Sequence, residues 1–119
     1  MISYKELIVW QRSIELVVEI YRLTRMYPKE ELYGITSQTR RASVSIPSNI
    51  AEGYTRKHKQ EYIQFLRISF ASGAELETLI LIAKKLKLTS EVEFTKSDEL
   101  LEEVMKMLNK MTNSLAAKP

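Results

Sequence analysis

Apolar residues recur along this chain with the period of an α-helix, and four segments carry the pattern. The first opens on Ser3-Tyr4-Lys5-Glu6. There the Ser3 hydroxyl is placed to accept the N3 amide proton and Glu6 to reach back to the Ser3 amide, a capping box. Ile2 and Leu7 stand where a hydrophobic staple would close over it. A helix is expected over about residues 4–26, ending ahead of Pro28 because the residue before proline resists the α conformation. Wrapped at about 100° per residue, Leu7, Trp10, Ile14, Val17, Val18 and Tyr21 share one face, and Val9, Leu16, Ile20 and Leu23 form a stripe roughly opposite. The apolar arc covers about 220°, where one core needs a stripe of ~100°. This helix is expected to have more than one set of neighbours.

The second segment, about 29–54, has Gly34 early, Pro47 inside and Gly53 as a C-terminal signal. Pro47 lacks an amide proton and its ring clashes with the carbonyl four residues back, so a kink or interruption is expected there. The basic run Arg56-Lys57-His58-Lys59 follows. The third segment, about 59–88, is apolar on nearly every side: Tyr62, Leu66, Gly73, Leu76 and Ile80 on one face, Ile68, Leu79, Ile82 and Leu86 on another, Ile63, Phe70, Ala74 and Leu81 on a third. The fourth, about 95–115, is amphipathic on one side, with Leu100, Leu101, Val104, Leu108 and Met111 facing inward. Short connections favour antiparallel neighbours. The predicted fold is therefore all-α, an up-down-up-down four-helix bundle in a single domain over residues 1–119, with helix 2 kinked or interrupted at Pro47.

Composition narrows the classes. The 119 residues hold only three Gly and three Pro, where average usage gives about eight and six, so turns are few and elements long. The absence of Cys removes disulfides, thiolate metal sites and thiol catalysis. Uncharged stretches such as Ile68–Ala74 are far short of the ~20 residues of a membrane span. No basic region followed by an apolar block opens the chain, so no secretory signal and a cytoplasmic location are expected. Residues 1–60 hold ten Lys/Arg and six acids, whereas residues 61–119 hold eight and nine, so the net +3 resides in the first half.

Candidate chemistry is sparse. The single His, His58, stands in a basic run without an acidic orienter, and a helix-start or surface position is the simpler reading. There is no Glu-x-x-His motif for a di-metal bundle and no phosphate-cradling glycine loop, so no cofactor or metal is expected. Glu75 and Glu77 are candidates for acid/base work, but acids at i,i+2 on a helix diverge, and an ion pair with Arg40, Arg41 or Arg67 is the plainer role. The basic groups are the better lead. Arg40, Arg41, Arg56, Lys57, Lys59 and Arg67 lie in or beside helices 2 and 3, with Tyr54 and Tyr62 near the run. Cationic side chains hold phosphates and aromatic rings stack on bases. Equally, Arg40 and Arg41 are suited to intersubunit salt bridges, and residues 56–59 to a solvated connection.

Several blocks form a pattern: Leu7-Ile8-Val9-Trp10-Gln11, Tyr27-Pro28, Tyr33-Gly34-Ile35, Gln38, Arg40-Arg41-Ala42, Val44 through the Pro47-containing run to Gly53, Phe65-Leu66-Arg67-Ile68 and Glu75-Leu76-Glu77-Thr78. Over about Leu7 to Leu88 this resembles the four-helix-bundle proteins encoded in intervening sequences of bacterial 23S ribosomal RNA genes; His58 departs from it where a Ser cap is common. The resemblance implies a barrel-shaped homopentamer and no catalytic residues. It also implies kinship with the accessory protein of diversity-generating retroelements, which binds nucleic acid and a reverse transcriptase through a basic surface.

The expectation is a non-enzymatic homo-oligomer without a membrane role. It would touch RNA or DNA through Arg40, Arg41, Arg56, Lys57, Lys59 and Arg67, and its neighbours in the ring through Val9, Leu16, Ile20, Leu23, Ile68, Leu79 and Ile82. The alternative is a scaffold recruiting a nucleic-acid enzyme such as a reverse transcriptase without binding nucleic acid. A small enzyme using Glu75 and Glu77 is a third reading.

Overall fold

Ser3 does open the chain's first helical turn, but the turn is a short one. In the computed structural model, which describes residues 3–118, a 3-10 turn spans Tyr4–Glu6, and the Ser3 hydroxyl accepts from the Lys5 amide at 3.1 Å. The bond falls on the second residue after Ser3 because the tighter turn brings that amide into reach. Leu7 is extended (φ −72°, ψ 126°), and helix α1 begins only afterwards, at Ile8–Thr24. Ile2, the expected staple partner, lies outside the described residues.

The predicted second helix is divided, though not at its proline. A 3-10 turn at Lys29–Glu31 and a π-helical turn at Leu32–Thr36 precede α2, Ser37–Arg56. The backbone leaves helical geometry at Gly34 (φ −117°, ψ −114°), and α2 then passes through Pro47 as one helix. Around the proline, Ser45, Ser48 and Asn49 donate to the carbonyls of Arg41, Val44 and Ser45. Helix α3 covers Lys59–Lys85, and α4, Thr95–Ala116, follows a 3-10 turn at Glu91–Phe94.

Helix α1 packs on α2, α2 on α3, α3 on α4, and α4 closes the bundle against α1. The result is a rod of 48 × 20 × 20 Å. Its core is Leu16, Ile20 and Leu23 from α1, Ile46 and Ile50 from α2, Leu66 and Leu76 from α3, and Val104 and Leu108 from α4. Phe94 plugs one end. Polar cross-ties join neighbours: Ser69 donates to the Ile46 carbonyl at 2.6 Å, Arg12 to Glu103 at 3.1 Å, and Lys84 to Asp98 at 2.6 Å. Glu19 is buried in α1, and Arg22, which holds it, also reaches Glu93 at 3.2 Å.

The core corrects the expected subunit interface. Val9, Leu16, Ile20, Leu23 and Leu79 are buried within this chain's own bundle and have no surface to offer a neighbour. The two stripes of α1 are exchanged relative to expectation: Ile14, Val18 and Tyr21 of the other stripe face outward, Val18 being 65 % exposed. Both stripes are apolar, so only the packing of α2 and α4 decides which one is covered. Of the residues expected at the interface, Ile68 and Ile82 are exposed, and Leu86 joins them on the same flank of α3. The opposite flank of α3 exposes Phe70 and Leu81.

Candidate nucleic-acid interface

The basic run falls in the tightest reversal of the chain. Helix α2 ends at Arg56, Lys57 is left-handed (φ 63°, ψ 21°), and His58 is extended (φ −122°, ψ 125°) as the N-cap of α3. A left-handed residue at a helix end is usually glycine, and any other residue there costs about 1–2 kcal/mol. Here that position carries a lysine, exposed at the tip. The His58 side chain makes no capping hydrogen bond.

Because the bundle is antiparallel, the chain's first turn lies beside this tip. Ser3 and Tyr4 face Gly53, Tyr54, Lys57, His58, Lys59 and Tyr62 across an open groove of about 610 Å³. Its aromatic walls are ordered by edge-to-face contacts. Tyr54 and Tyr62 stand 5.8 Å apart at 82°, and Tyr4 leans on Trp10 at 5.4 Å and 66°. Burial raises the Tyr62 phenol above its ordinary pKa, with a further push from Tyr54. Gly53 is helical here and does not end α2. A Cβ on it would stand 2.6 Å from Cβ of Phe65, so the glycine is what lets α2 and α3 close beneath the groove.

The six expected cations do not form one patch. Lys57 and Lys59 line the groove, and Lys59 also donates to the Lys118 carbonyl at 2.7 Å, tying the end of α4 to the start of α3. Arg56 stands beside the groove but is engaged: it meets Glu52 at 3.0 Å and Glu61 at 3.7 Å, and its guanidinium lies 5.0 Å over the Phe65 ring. Arg40 belongs to the other end of the rod, about 24 Å away along α2 at ~1.5 Å per residue. Its Nε donates to Thr24 Oγ1 at 2.9 Å and its guanidinium lies 4.7 Å over the Tyr21 ring, clasping α1 to α2. Arg41 and Arg67 are exposed on the flanks of α2 and α3. Glu75 and Glu77 are exposed as well, and among the described residues neither pairs with a cation, because Arg40 turns toward α1 and away from α3.

Sequence reasoning missed Tyr4 as a groove residue, although the signal was present. In an up-down bundle the start of the first helix must lie beside the end of the second, which places Tyr4 near Tyr54. Among the described residues no group of three or more His, Asp or Glu side chains could hold a metal ion. Among the same residues, no helix is long and apolar enough to cross a membrane.

A solved structure shares this architecture. It is a protein of unknown function from the S23 ribosomal protein family of Bacteroides thetaiotaomicron, with a TM-score of 0.82 over 89 % of this chain and 96 % of that one at 20 % identity. That likeness shows the four-helix fold. No curated protein matches the sequence. The sequence itself matches a family over residues 5–110, from the first turn through most of α4, and so this chain belongs to the 23S rRNA-intervening sequence protein family.

Proposed function

We propose that this chain is a non-enzymatic homo-oligomer, pentameric, that associates with single-stranded nucleic acid, RNA foremost, through the groove at the α2–α3 tip. The observation that carries the reading is the makeup of that groove: Tyr4, Tyr54 and Tyr62 beside Lys57, His58 and Lys59. Lysines neutralise phosphates, and each base stacked on an aromatic ring contributes about 1–3 kcal/mol. Unstacked bases are available in single strands and loops, which is where RNA is read. The family's description ties it to 23S rRNA, which makes RNA the first ligand to try.

Two apolar flanks on different faces support self-association. One is Ile14, Val18 and Tyr21 with Val44 of α2, the other Ile68, Ile82 and Leu86 of α3. Distinct patches meeting head to tail close a ring when the rotation allows. A ring repeats the groove, and weak contacts then add through multivalency. Arg41 and Arg67 are exposed on α2 and α3 outside the groove and are available as separate phosphate contacts, whereas Arg40 and Arg56 serve the bundle itself.

The test is a titration of short single-stranded RNA and DNA into the purified protein across a salt series. Affinity should fall linearly in log–log form as salt rises. Lys57→Glu with Lys59→Glu, or Tyr54→Ala, should weaken binding while the mass by light scattering is unchanged. No binding at low salt by an intact oligomer would refute the reading. It would leave the scaffold alternative, in which the exposed Phe70 and Leu81 flank of α3 seats a partner protein.

A further inference from the structure

Tyr62 is a wall of two grooves. On one side it closes the tyrosine groove together with Tyr54 and Lys59. On the other it faces Lys110, Met111, Ser114 and Leu115 of α4 across a second open groove of about 320 Å³. The antiparallel bundle brings these residues together, because α4 ends where α3 begins: Lys59 Nζ donates to the Lys118 carbonyl at 2.7 Å. Tyr62 is braced from the α2 side, where its ring packs at Gly53 and meets the Tyr54 ring edge to face at 5.8 Å. Tyr62, Met111 and Leu115 are half-buried and packed against the core, so the floor of the second groove is fixed and apolar.

The charge around both grooves is of one sign. Neither lining contains a carboxylate. All nine acids of residues 61–119 fall at or before Glu103, so the rest of α4 carries Lys106, Lys110 and Lys118 and no acid. The near balance of the second half as a whole conceals this. Glu52 and Glu61, the acids that flank the basic run, are both engaged by Arg56, at 3.0 and 3.7 Å. Lys106 pairs with Glu102 at 3.4 Å, whereas Lys110 is exposed and has no acidic partner among the described residues. The helix dipole does not account for Lys110. That attraction fades within the last turn, and Lys110 stands six residues before the end of α4 at Ala116.

Resting on the reading of the tyrosine groove given above, we infer that the single strand bound there continues past Tyr62 onto α4, where a further base sits on Met111 and Leu115 and Lys110 holds its phosphate. Two arguments single out this occupant. The first is continuity: the second groove begins at the residue where the first one ends, and Tyr62 is common to both. The second is complementarity. A nucleotide joins a flat π-face, which stacks on an aromatic ring and meets a thioether favourably, to a phosphate that needs a cation. The groove offers those two parts side by side, a Tyr62–Met111–Leu115 floor with Lys110 at its edge. An apolar side chain of a partner would use the floor and leave Lys110 idle; a free anion would use Lys110 and leave the floor wet. The strand thus runs from Lys57 and Tyr54, past Lys59 and Tyr62, to Lys110. Lys110 is a binding residue from the half of the chain that carries no excess of positive charge.

The test titrates an oligoadenylate RNA of eight nucleotides into the full chain across a salt series and follows the methionine methyl resonances. The Met111 methyl is expected to shift saturably with the RNA, at the affinity of the tyrosine groove, while that of Met26 at the far end of the rod stays still. Lys110→Gln should weaken binding about two- to fivefold, as for loss of an exposed ion pair, and lower the log–log salt slope by about 0.7, one phosphate of a single strand. Lys110→Arg should bind as the parent does. Lys96→Gln removes the same charge from the start of α4, about 21 Å away and beyond the ~8 Å reach of screened charge, and should change nothing. Lys110 has no protein partner to lose, so the urea midpoint and the mass by light scattering should be those of the parent. RNA that binds and is weakened by Tyr54→Ala, but leaves the Met111 methyl unmoved and is indifferent to Lys110→Gln, would overturn this inference and leave the tyrosine groove standing. Equal losses from Lys96→Gln and Lys110→Gln would overturn it too, since the effect would then be one of net charge. No binding at low salt would remove the groove reading and this extension together.

Discussion

Gly53→Ala and Gly73→Ala should change stability in different directions. Both glycines lie inside helices with ordinary backbone angles, and alanine is favoured over glycine in a helix interior by about 1 kcal/mol. Propensity alone therefore predicts that both variants are stabilised. The space around them differs. At Gly53 the new Cβ would meet Phe65 Cβ at 2.6 Å, with Phe65 Cγ and a Tyr62 ring carbon at 3.3 Å. Ordinary carbon contacts lie at about 3.5–4.0 Å. Cβ of Phe65 is bonded to the α3 backbone and cannot swing aside, so the α2–α3 seam must open by about 1 Å. Overpacking of this kind costs about 1–3 kcal/mol, which outweighs the propensity gain and leaves Gly53→Ala destabilised by up to about 2 kcal/mol. At Gly73 the obstacle is Sδ of Met105, near the end of a flexible, half-buried side chain that borders an open groove of about 540 Å³. Met105 can rotate away, and Gly73→Ala should be neutral or stabilised by up to about 1 kcal/mol. Urea midpoints at several protein concentrations, with the slope checked for constancy, separate this from any change in assembly. A midpoint for Gly53→Ala at or above that of Gly73→Ala would refute the packing argument.

Other outcomes follow from single contacts. Burial pushes the Tyr27 phenol up to about 12. Its folded pKa is raised, so the stability it contributes is full below about pH 10 and lost as pH rises through 10 to 12. Tyr27→Phe should lose less stability than the parent over that window, by about 2–3 kcal/mol in urea titrations at matched pH, and equal losses would contradict it. Ser69→Ala removes the buried cross-tie to the Ile46 carbonyl, which keeps its place in the helical ladder of α2, and should cost about 0.5–1.5 kcal/mol by the same assay. Lys57→Gly relieves a left-handed lysine and should stabilise the chain by up to about 1 kcal/mol while weakening RNA binding; unchanged binding would remove Lys57 from the interface. Val18→Asp and Ile82→Asp, both at exposed positions, should shift folding stability by less than about 0.5 kcal/mol at the monomer level yet lower the mass seen by light scattering.

The helices were legible in the sequence because the 3.6-residue period is a local property. Leu100, Leu101, Val104 and Leu108 have only one way to face a core, and α4 lies at Thr95–Ala116 where the period placed it. Segment order and short connections carried the antiparallel bundle too. The candidate site was legible only in part. Lys57, Lys59, Tyr54 and Tyr62 are near one another in sequence and stayed together in the groove. Arg40 resembled them in type and was drawn instead into the α1–α2 seam by Thr24 and Tyr21, sixteen and nineteen residues before it in sequence.

What the sequence determined by itself was the set of apolar stripes, the number of helices and the concentration of positive charge in the first half. What only the tertiary structure decided was the rotation of each helix about its axis. Helix α1 carries two apolar stripes, and nothing within it ranks Leu16, Ile20 and Leu23 above Ile14, Val18 and Tyr21. The choice depends on which residues of α2 and α4 arrive opposite. Gly53 as a point of close approach and Pro47 inside an unbroken helix have the same origin. Each depends on the distance to an atom on another element, which the local period of the sequence does not encode.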